Sequence, residues 1–277
     1  MKARKRFGQH FLTDESVLDG IVRAVRPVAS DRLLEIGPGP GALTARLHRT
    51  FASTEARANS VESGADGRFV AVEIDRDLAP PLRVRFPALT VINEDILRVD
   101  LNDLLAAGQW RIVGNLPYNI STPLLVRLLA QLPRIRDMHF MLQREVAERL
   151  AAQPGTKDWG RLTVLMQLWC HVDQLFDVAP ESFAPPPRVW SAVVRIRPRS
   201  SVPEVAPAAL DQVLRHAFTQ RRKRLSNALQ SLPIDWAQAG VDPGKRADAV
   251  TVDEYVALAR SLPEGEPIGP AVNQDEQ

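Results

Sequence analysis

The stretch Gly114-Asn115-Leu116-Pro117-Tyr118-Asn119-Ile120 carries the densest chemistry in the chain. The Asn115 amide oxygen and the Leu116 backbone carbonyl are two acceptors, a match for the two hydrogens of an exocyclic amine. The bond to Pro117 restrains Leu116 in an extended form. Tyr118 adds a flat face on which a base can stack, worth about 1–3 kcal/mol. The bland alternative is a loop with a buried tyrosine. Against it stands the position of the heptapeptide, at the end of the apolar run Arg111-Ile112-Val113.

A second constellation precedes it. Glu35-Ile36-Gly37-Pro38-Gly39-Pro40-Gly41 follows the apolar run from Leu33 and opens a helix over Ala42 to His48. Glycines allow a tight turn and close approach of backbone to a ligand. The next apolar run ends in Glu73-Ile74-Asp75, where a carboxylate can take both hydroxyls of a ribose. A third ends in Asn93-Glu94-Asp95, giving another acid at the same sheet edge. Singly, each acid reads as a cap or a turn residue. Three in register read as a nucleoside site. A nicotinamide dinucleotide could use the same glycine turn and first acid. Prolines 38 and 40, the missing third glycine spacing and the long glycine-to-acid interval argue against it.

These residues need a scaffold. Apolar runs at Leu33–Ile36, Phe69–Ile74, Leu89–Ile92, Arg111–Val113 and Met138–Leu142 alternate with helical patterns at Glu15–Val25, Leu124–Leu132 and Arg144–Ala152. Asp14 is placed to cap the first helix, with Val17, Ile21 and Val25 on one face. This alternation implies a largely parallel sheet covered on both faces. Cys170–Val178 and Ala192–Arg197 read as an antiparallel closing pair, because no helix fits between them. The segment 51–68 has no period and reads as a surface loop. The expected division is an α/β domain over 1–200, a small helical domain over 205–263 and a mobile tail over 264–277.

Composition bounds the class. The chain has 277 residues, 45% hydrophobic and 25% charged, which excludes a wholly disordered or collagen-like protein. One cysteine, Cys170, excludes internal disulfides and cysteine metal clusters and fits a reducing, cytoplasmic setting. No apolar run approaches a membrane span, and no signal peptide is evident. The net charge of +2 is a cancellation. Residues 1–11 carry four cations and no acid, and 215–224 carry five and none, while 31–103 is acidic on balance. Arg221-Arg222-Lys223-Arg224 and the N-terminal Lys2, Arg4, Lys5 and Arg6 can therefore neutralise RNA phosphates. A merely solvated face is the alternative for so short a run.

The ordered motifs RFGQHFL (6–12), LEIGPGPGALT (34–44), VEID (72–75), NLPYNIS (115–121), GRLTVLMQ (160–167), SFAPPPRVWSAVVRI (182–196) and AFTQRRKRLSNAL (217–229) span nearly the whole chain. In them the sequence resembles the small-subunit ribosomal RNA adenine N6-dimethyltransferases, the KsgA (RsmA) family. The resemblance implies a class I, Rossmann-like methyltransferase fold with S-adenosylmethionine as cofactor and no metal. It implies a monomer acting on two adjacent adenines near the 3′ end of 16S RNA in the small ribosomal subunit. His10, Leu12, Gly37, Gly39, Glu73, Asp95 and Asn115 would line the cofactor. Asn115, Leu116, Pro117 and Tyr118 would hold the target adenine, with Phe183 on its other face. The family commonly has Asn where this chain has His10, and the 51–68 insert is longer than usual. The macrolide-resistance methylases of the large subunit share the core motifs and are the nearest rival; a noncatalytic assembly factor is another.

Overall fold

The computed structural model describes residues 9–28, 30–55 and 68–263, with backbone alone at 50–55. Arg4, Lys5, Arg6 and the 264–277 tail lie outside the described residues. By internal packing the chain divides into one unit of residues 1–147 and 171–198 and a second of 148–170 and 199–277.

In the first unit, β1 (Phe11–Leu12) leads into α1 (Glu15–Val25), β2 (Arg32–Ile36), α2 (Ala42–Glu55) and β3 (Phe69–Val72). Then come α3 (Ala79–Arg85), β4 (Thr90–Ile92), α4 (Leu101–Leu104), β5 (Trp110–Asn115), α5 (Ser121–Leu129) and β6 (Ile135–Gln143). Helix α6 (Arg144–Ala151) starts here, α7 (Arg161–Trp169) belongs to the second unit, and β7 (Cys170–Val178), β8 (Phe183–Ala184) and β9 (Ser191–Pro198) complete the first. The seven-stranded sheet runs β4-β3-β2-β5-β6-β9-β7. Its strands from β4 to β6 are parallel, and β9 pairs antiparallel with β6.

The apolar runs are strands because both their faces are covered. Leu33, Leu34, Ile36 and Phe69 to Val72 are all buried, as expected of a parallel sheet between helices. The chain builds outward from β2 to β3 and β4, then returns to place β5 on the other flank of β2. That reversal leaves a crevice at the carboxyl ends of β2 and β5, the place where α/β sheets bind ligands.

Asp14 caps α1, its carboxylate accepting the Ser16 and Val17 N–H groups at 2.9 and 3.2 Å. Leu18, Ile21 and Val25 form the buried face, and Val17 is only partly covered. Helix α2 runs on to Glu55, so the expected loop begins later than residue 51; the remainder, 56–67, is outside the described residues. One pairing has no signature in the sequence. Phe11 and Leu12 form a two-stranded antiparallel ribbon with Ala184 and Phe183. Strands of two residues carry no readable period, so only the fold reveals them.

The second unit adds α8 (Pro207–Thr219), α9 (Leu225–Ala228), α10 (Trp236–Ala239) and α11 (Val252–Arg260). Its core joins Trp159, Val164 and Leu168 to Leu210, Leu214, Leu225, Tyr255 and Leu258. Residues 148–170 thus pack with the helical segment, whereas the sequence boundary at 200 assigned them to the α/β domain. No helix among the described residues is long and apolar enough to cross a membrane.

At the amino ends of β5 and β6, Arg111 sits buried between two acids. Its guanidinium donates to Asp137 at 2.9 and 2.7 Å and to Asp31 at 3.1 Å, and also to the Arg26 carbonyl. Both acids are buried too. Removing one partner of a buried ion pair leaves the others uncompensated and costs about 3–5 kcal/mol. Arg111→Ala should lose about that much stability in urea unfolding; a loss below ~1 kcal/mol would show the acids find other partners.

Candidate active site

The glycine turn between β2 and α2 depends on left-handed backbone. Gly37 and Gly39 have φ of 67° and 58°, a region costly for residues with a Cβ. A Cβ on Gly39 would also meet the Phe11 ring at 3.1 Å. Glu73, buried at the end of β3, fastens this turn. One carboxylate oxygen accepts the Gly39 N–H at 3.0 Å and the other the Asp75 N–H at 2.8 Å. Each oxygen keeps a second lone pair for a ligand hydroxyl. Burial raises the Glu73 pKa above the ordinary carboxylate value.

The other acids have different work. Asp75 is buried and accepts the Gln9 side chain at 3.2 Å and the Asp77 N–H at 3.0 Å, so it shapes the β3 turn and holds the N-terminal segment. Asp95 accepts the Leu97 N–H at 2.9 Å while lining the same cavity as Glu73. One residue thus both shapes its own turn and lines the cavity.

That cavity, of about 280 Å³, lies at the carboxyl ends of β2, β3, β4 and β5. Of the residues singled out, it brings together His10, Leu12, Gly37, Gly39, Glu73, Asp95, Asn115, Leu116, Pro117 and Tyr118. Phe183 is not among its lining residues. It is buried in the hydrophobic core, its backbone paired with Leu12, so the expected second face for a base is corrected. A strand pairing that cannot be seen locally turns this aromatic inward.

The Asn115 amide nitrogen donates to the His10 carbonyl at 2.9 Å. Only the nitrogen can donate, so this bond fixes which way the amide faces and leaves its oxygen as the free acceptor. Gly114 leaves room for the close pairing of β5 on β2, since a Cβ there would stand 2.7 Å from the Ile36 carbonyl oxygen. The Leu116 N–H donates to the Met141 carbonyl at 3.2 Å, which ties the loop to β6. Tyr118 shares a hydrogen bond with the Ser191 hydroxyl at 3.1 Å. The His10 ring lies nearly parallel to Tyr118, centroids 6.0 Å apart, and donates from Nδ1 to the Pro185 carbonyl at 2.8 Å. The His10 side chain is thus engaged with the Tyr118 loop, and its backbone with Asn115.

In the helical unit, the α8–α9 turn exposes Arg222, Lys223 and Arg224. Arg221 is committed elsewhere: it donates to the Thr156 and Lys157 carbonyls at 3.2 and 2.7 Å and faces Asp248. A backbone bridge between Arg224 and Arg246 brings an exposed cation from 22 residues away beside the turn, which the linear charge run could not show. Cys170 is buried, and burial pushes its thiol up to about 12, so it is no nucleophile.

Comparison with known proteins agrees with this geometry. The sequence model of the family described as ribosomal RNA adenine dimethylase matches residues 1–263. The chain belongs to this family. Among curated relatives of this dimethylase-family chain, ribosomal RNA small subunit methyltransferase A of Chromohalobacter salexigens is 46% identical, covering 96% of this chain and 93% of that one. The protein of the same name from Bordetella pertussis is 47% identical, with 94% of each chain covered. Of solved structures, a dimethyladenosine transferase from Plasmodium falciparum superposes with a TM-score of 0.74 at 25% identity, covering 90% of this chain and 96% of that one. The 23S rRNA methyltransferase ErmE follows at 0.65 and 26%, covering 91% and 99%.

One cavity residue of the dimethylase fold escapes a reading by motif alone. Glu35, on β2, is 2% exposed and lines the cavity with one carboxylate oxygen unpartnered among the described residues. Its signal in the sequence is an acid inside an otherwise apolar strand. Burial, together with the neighbouring Glu73 charge, pushes its pKa from 4.5 up to about 8. The folded chain therefore keeps a proton that the unfolded chain releases above 4.5, so stability falls as pH rises from about 4.5 to about 8. Glu35→Gln removes that ionisation at constant shape. Thermal melts at fixed ionic strength should show a smaller fall in Tm between pH 5 and 8 for the variant; equal falls would place the pH dependence elsewhere.

Proposed function

We propose that the protein transfers methyl groups from S-adenosylmethionine to N6 of two adjacent adenines near the 3′ end of small-subunit ribosomal RNA. The observation that carries this reading is the orientation of Asn115. Its amide nitrogen is spent on His10, so its oxygen stands as an acceptor in a cavity shared with Glu73, Asp95 and Tyr118. The substrate class is supported by the small-subunit relatives at 46–47% identity, against 26% for the large-subunit enzyme.

The residues fit the cofactor. Glycines with positive φ admit a ligand against the backbone, Glu73 offers lone pairs to a ribose, and the acids Glu35, Glu73 and Asp95 suit a cation. When bound, S-adenosylmethionine supplies an electrophilic sulfonium methyl.

The adenine N6 lone pair is delocalised into the ring and is a weak nucleophile. Asn115 Oδ1 and the Leu116 carbonyl accept its two N–H groups, drawing the nitrogen toward tetrahedral geometry and localising the pair. Tyr118 holds the ring by stacking, and the target adenine must leave any helix to reach it. Methyl transfer to the nitrogen held this way would form an N–C bond as the methyl–sulfur bond breaks, and the N6 proton would pass to water. Neither acceptor can take that proton, so catalysis rests on positioning and electrostatics rather than on a base. One N–H survives the first transfer, and the same acceptor can hold it for the second.

The exposed turn Arg222, Lys223 and Arg224, with Arg246 beside it, supports an RNA-binding role for the helical unit, with Arg4, Lys5 and Arg6 as further cations in the sequence. Arg221 serves the fold of that unit instead.

Asn115→Ala should still bind S-adenosylmethionine in calorimetry but lose at least ~100-fold in N6 methylation of unmethylated small subunits. Unchanged turnover would sink the assignment. Changing Arg222, Lys223 and Arg224 together to Ala should weaken subunit binding and lower its log–log salt slope by about 0.7–0.9 for each phosphate that is no longer neutralised. A slope identical to that of the wild type would remove the turn from the interface.

A further inference from the structure

The chain has five tryptophans. Trp110 and Trp159 are buried, and Trp169 and Trp236 are partly covered in the helical core. Trp190 is 49% exposed, Val189 before it is 44% exposed, and Arg188 is exposed as well. Single exposed apolar residues are ordinary. This group is distinguished by where its loop is fastened.

The loop from Pro185 to Trp190 is tied to the adenine site at both ends. The Pro185 carbonyl accepts the His10 ring N–H at 2.8 Å. Ser191, one residue past Trp190 and itself buried, is hydrogen-bonded to the Tyr118 hydroxyl at 3.1 Å. Adjacent Cα atoms are about 3.8 Å apart, so the Trp190 backbone starts within one residue of a side chain that touches Tyr118. The Trp190 carbonyl accepts the Arg144 N–H at 2.9 Å, which fixes the loop a third time. His10 and Tyr118 are themselves the two near-parallel rings lining the cavity. An exposed Trp and an exposed Arg are thus carried on a loop whose two ends are hydrogen-bonded to His10 and, through Ser191, to Tyr118.

We propose that Arg188 and Trp190 form a platform for the nucleotide next to the target adenine, Trp190 stacking on its base and Arg188 meeting its phosphate. This rests on the adenine N6-methylation reading above. Extruding one base unstacks its neighbour, and an aromatic face at that point recovers the lost stacking. The adjacent cation favours a polyanion over an apolar peptide as the occupant.

The test uses Trp190→Ala, Trp190→Phe and Arg188→Ala in the full chain. Trp190→Ala should raise KM for unmethylated small subunits about 5- to 100-fold, with S-adenosylmethionine affinity unchanged. Trp190→Phe should restore KM to within about threefold of wild type, since a phenyl ring still stacks. Arg188→Ala should lower the salt dependence of KM. Titration with a short oligoadenylate should quench the wild-type indole emission, and the quench should vanish in Trp190→Phe. Unchanged KM in Trp190→Ala, with an active wild type, would overturn the platform and leave the function standing. A raised KM without oligoadenylate quenching would point to a ribosomal protein and overturn it equally. A wild type that methylates no adenine N6 would instead refute the function on which the platform rests.

Discussion

The hydrogen bond from the Asn115 amide nitrogen to the His10 carbonyl is the contact that ties the end of β5 to the N-terminal segment lining the cavity. It fixes which way the Asn115 amide faces where that residue lines the cavity. It also anchors a segment with little secondary structure of its own. His10 is followed by the two-residue strand that pairs with Phe183 and Ala184, and its ring bonds to Pro185 and lies along Tyr118. Asn115, Tyr118 and the loop from Pro185 are therefore one connected arrangement. A shift at any of these points would move the others.

The acidic half of the cavity is built on a different principle. Parallel strands deliver Glu35, Glu73, Asp95 and Asn115 to one edge of the sheet, and the crevice opens where the chain reverses its order around β2. Acids are costly in such surroundings. Glu73 is stabilised by two backbone N–H donors, whereas Glu35 is not and holds its proton up to about pH 8. Tolerating a buried carboxyl costs stability at neutral pH and places latent negative charge in the cavity wall. The buried Arg111 cluster at the opposite ends of β5 and β6 offers the contrast, since there each charge meets its complement.

Much of this was legible from residues. The parallel strands and the capped first helix follow from periodicity and from Asp14, because burial on both faces leaves an unbroken apolar signature, and the two last long strands follow from the lack of a helix between them. The heptapeptide from Gly114 and the glycine turn stood out by residue type and spacing. Less was visible where a contact joins distant short segments. Phe183 looked like a base-stacking aromatic, and its pairing with Leu12 turned it into core. Arg221 looked like part of a phosphate-binding run, and carbonyls from residues 156 and 157 claim it. Residues 148–170 looked continuous with the α/β layer, and their apolar faces pack with the C-terminal helices.

Periodicity and motif spacing are local properties that need no partner to be read. They sufficed for the sheet, for the family and for most of the residues that line the cavity. The folded chain was needed for the facing of the Asn115 amide, for the unpartnered oxygen of buried Glu35, and for which cations of the basic turn stay exposed. Each of those depends on a donor, an acceptor or a burying surface supplied from far along the chain. The direction of a hydrogen bond is a property of the pair, not of either residue alone.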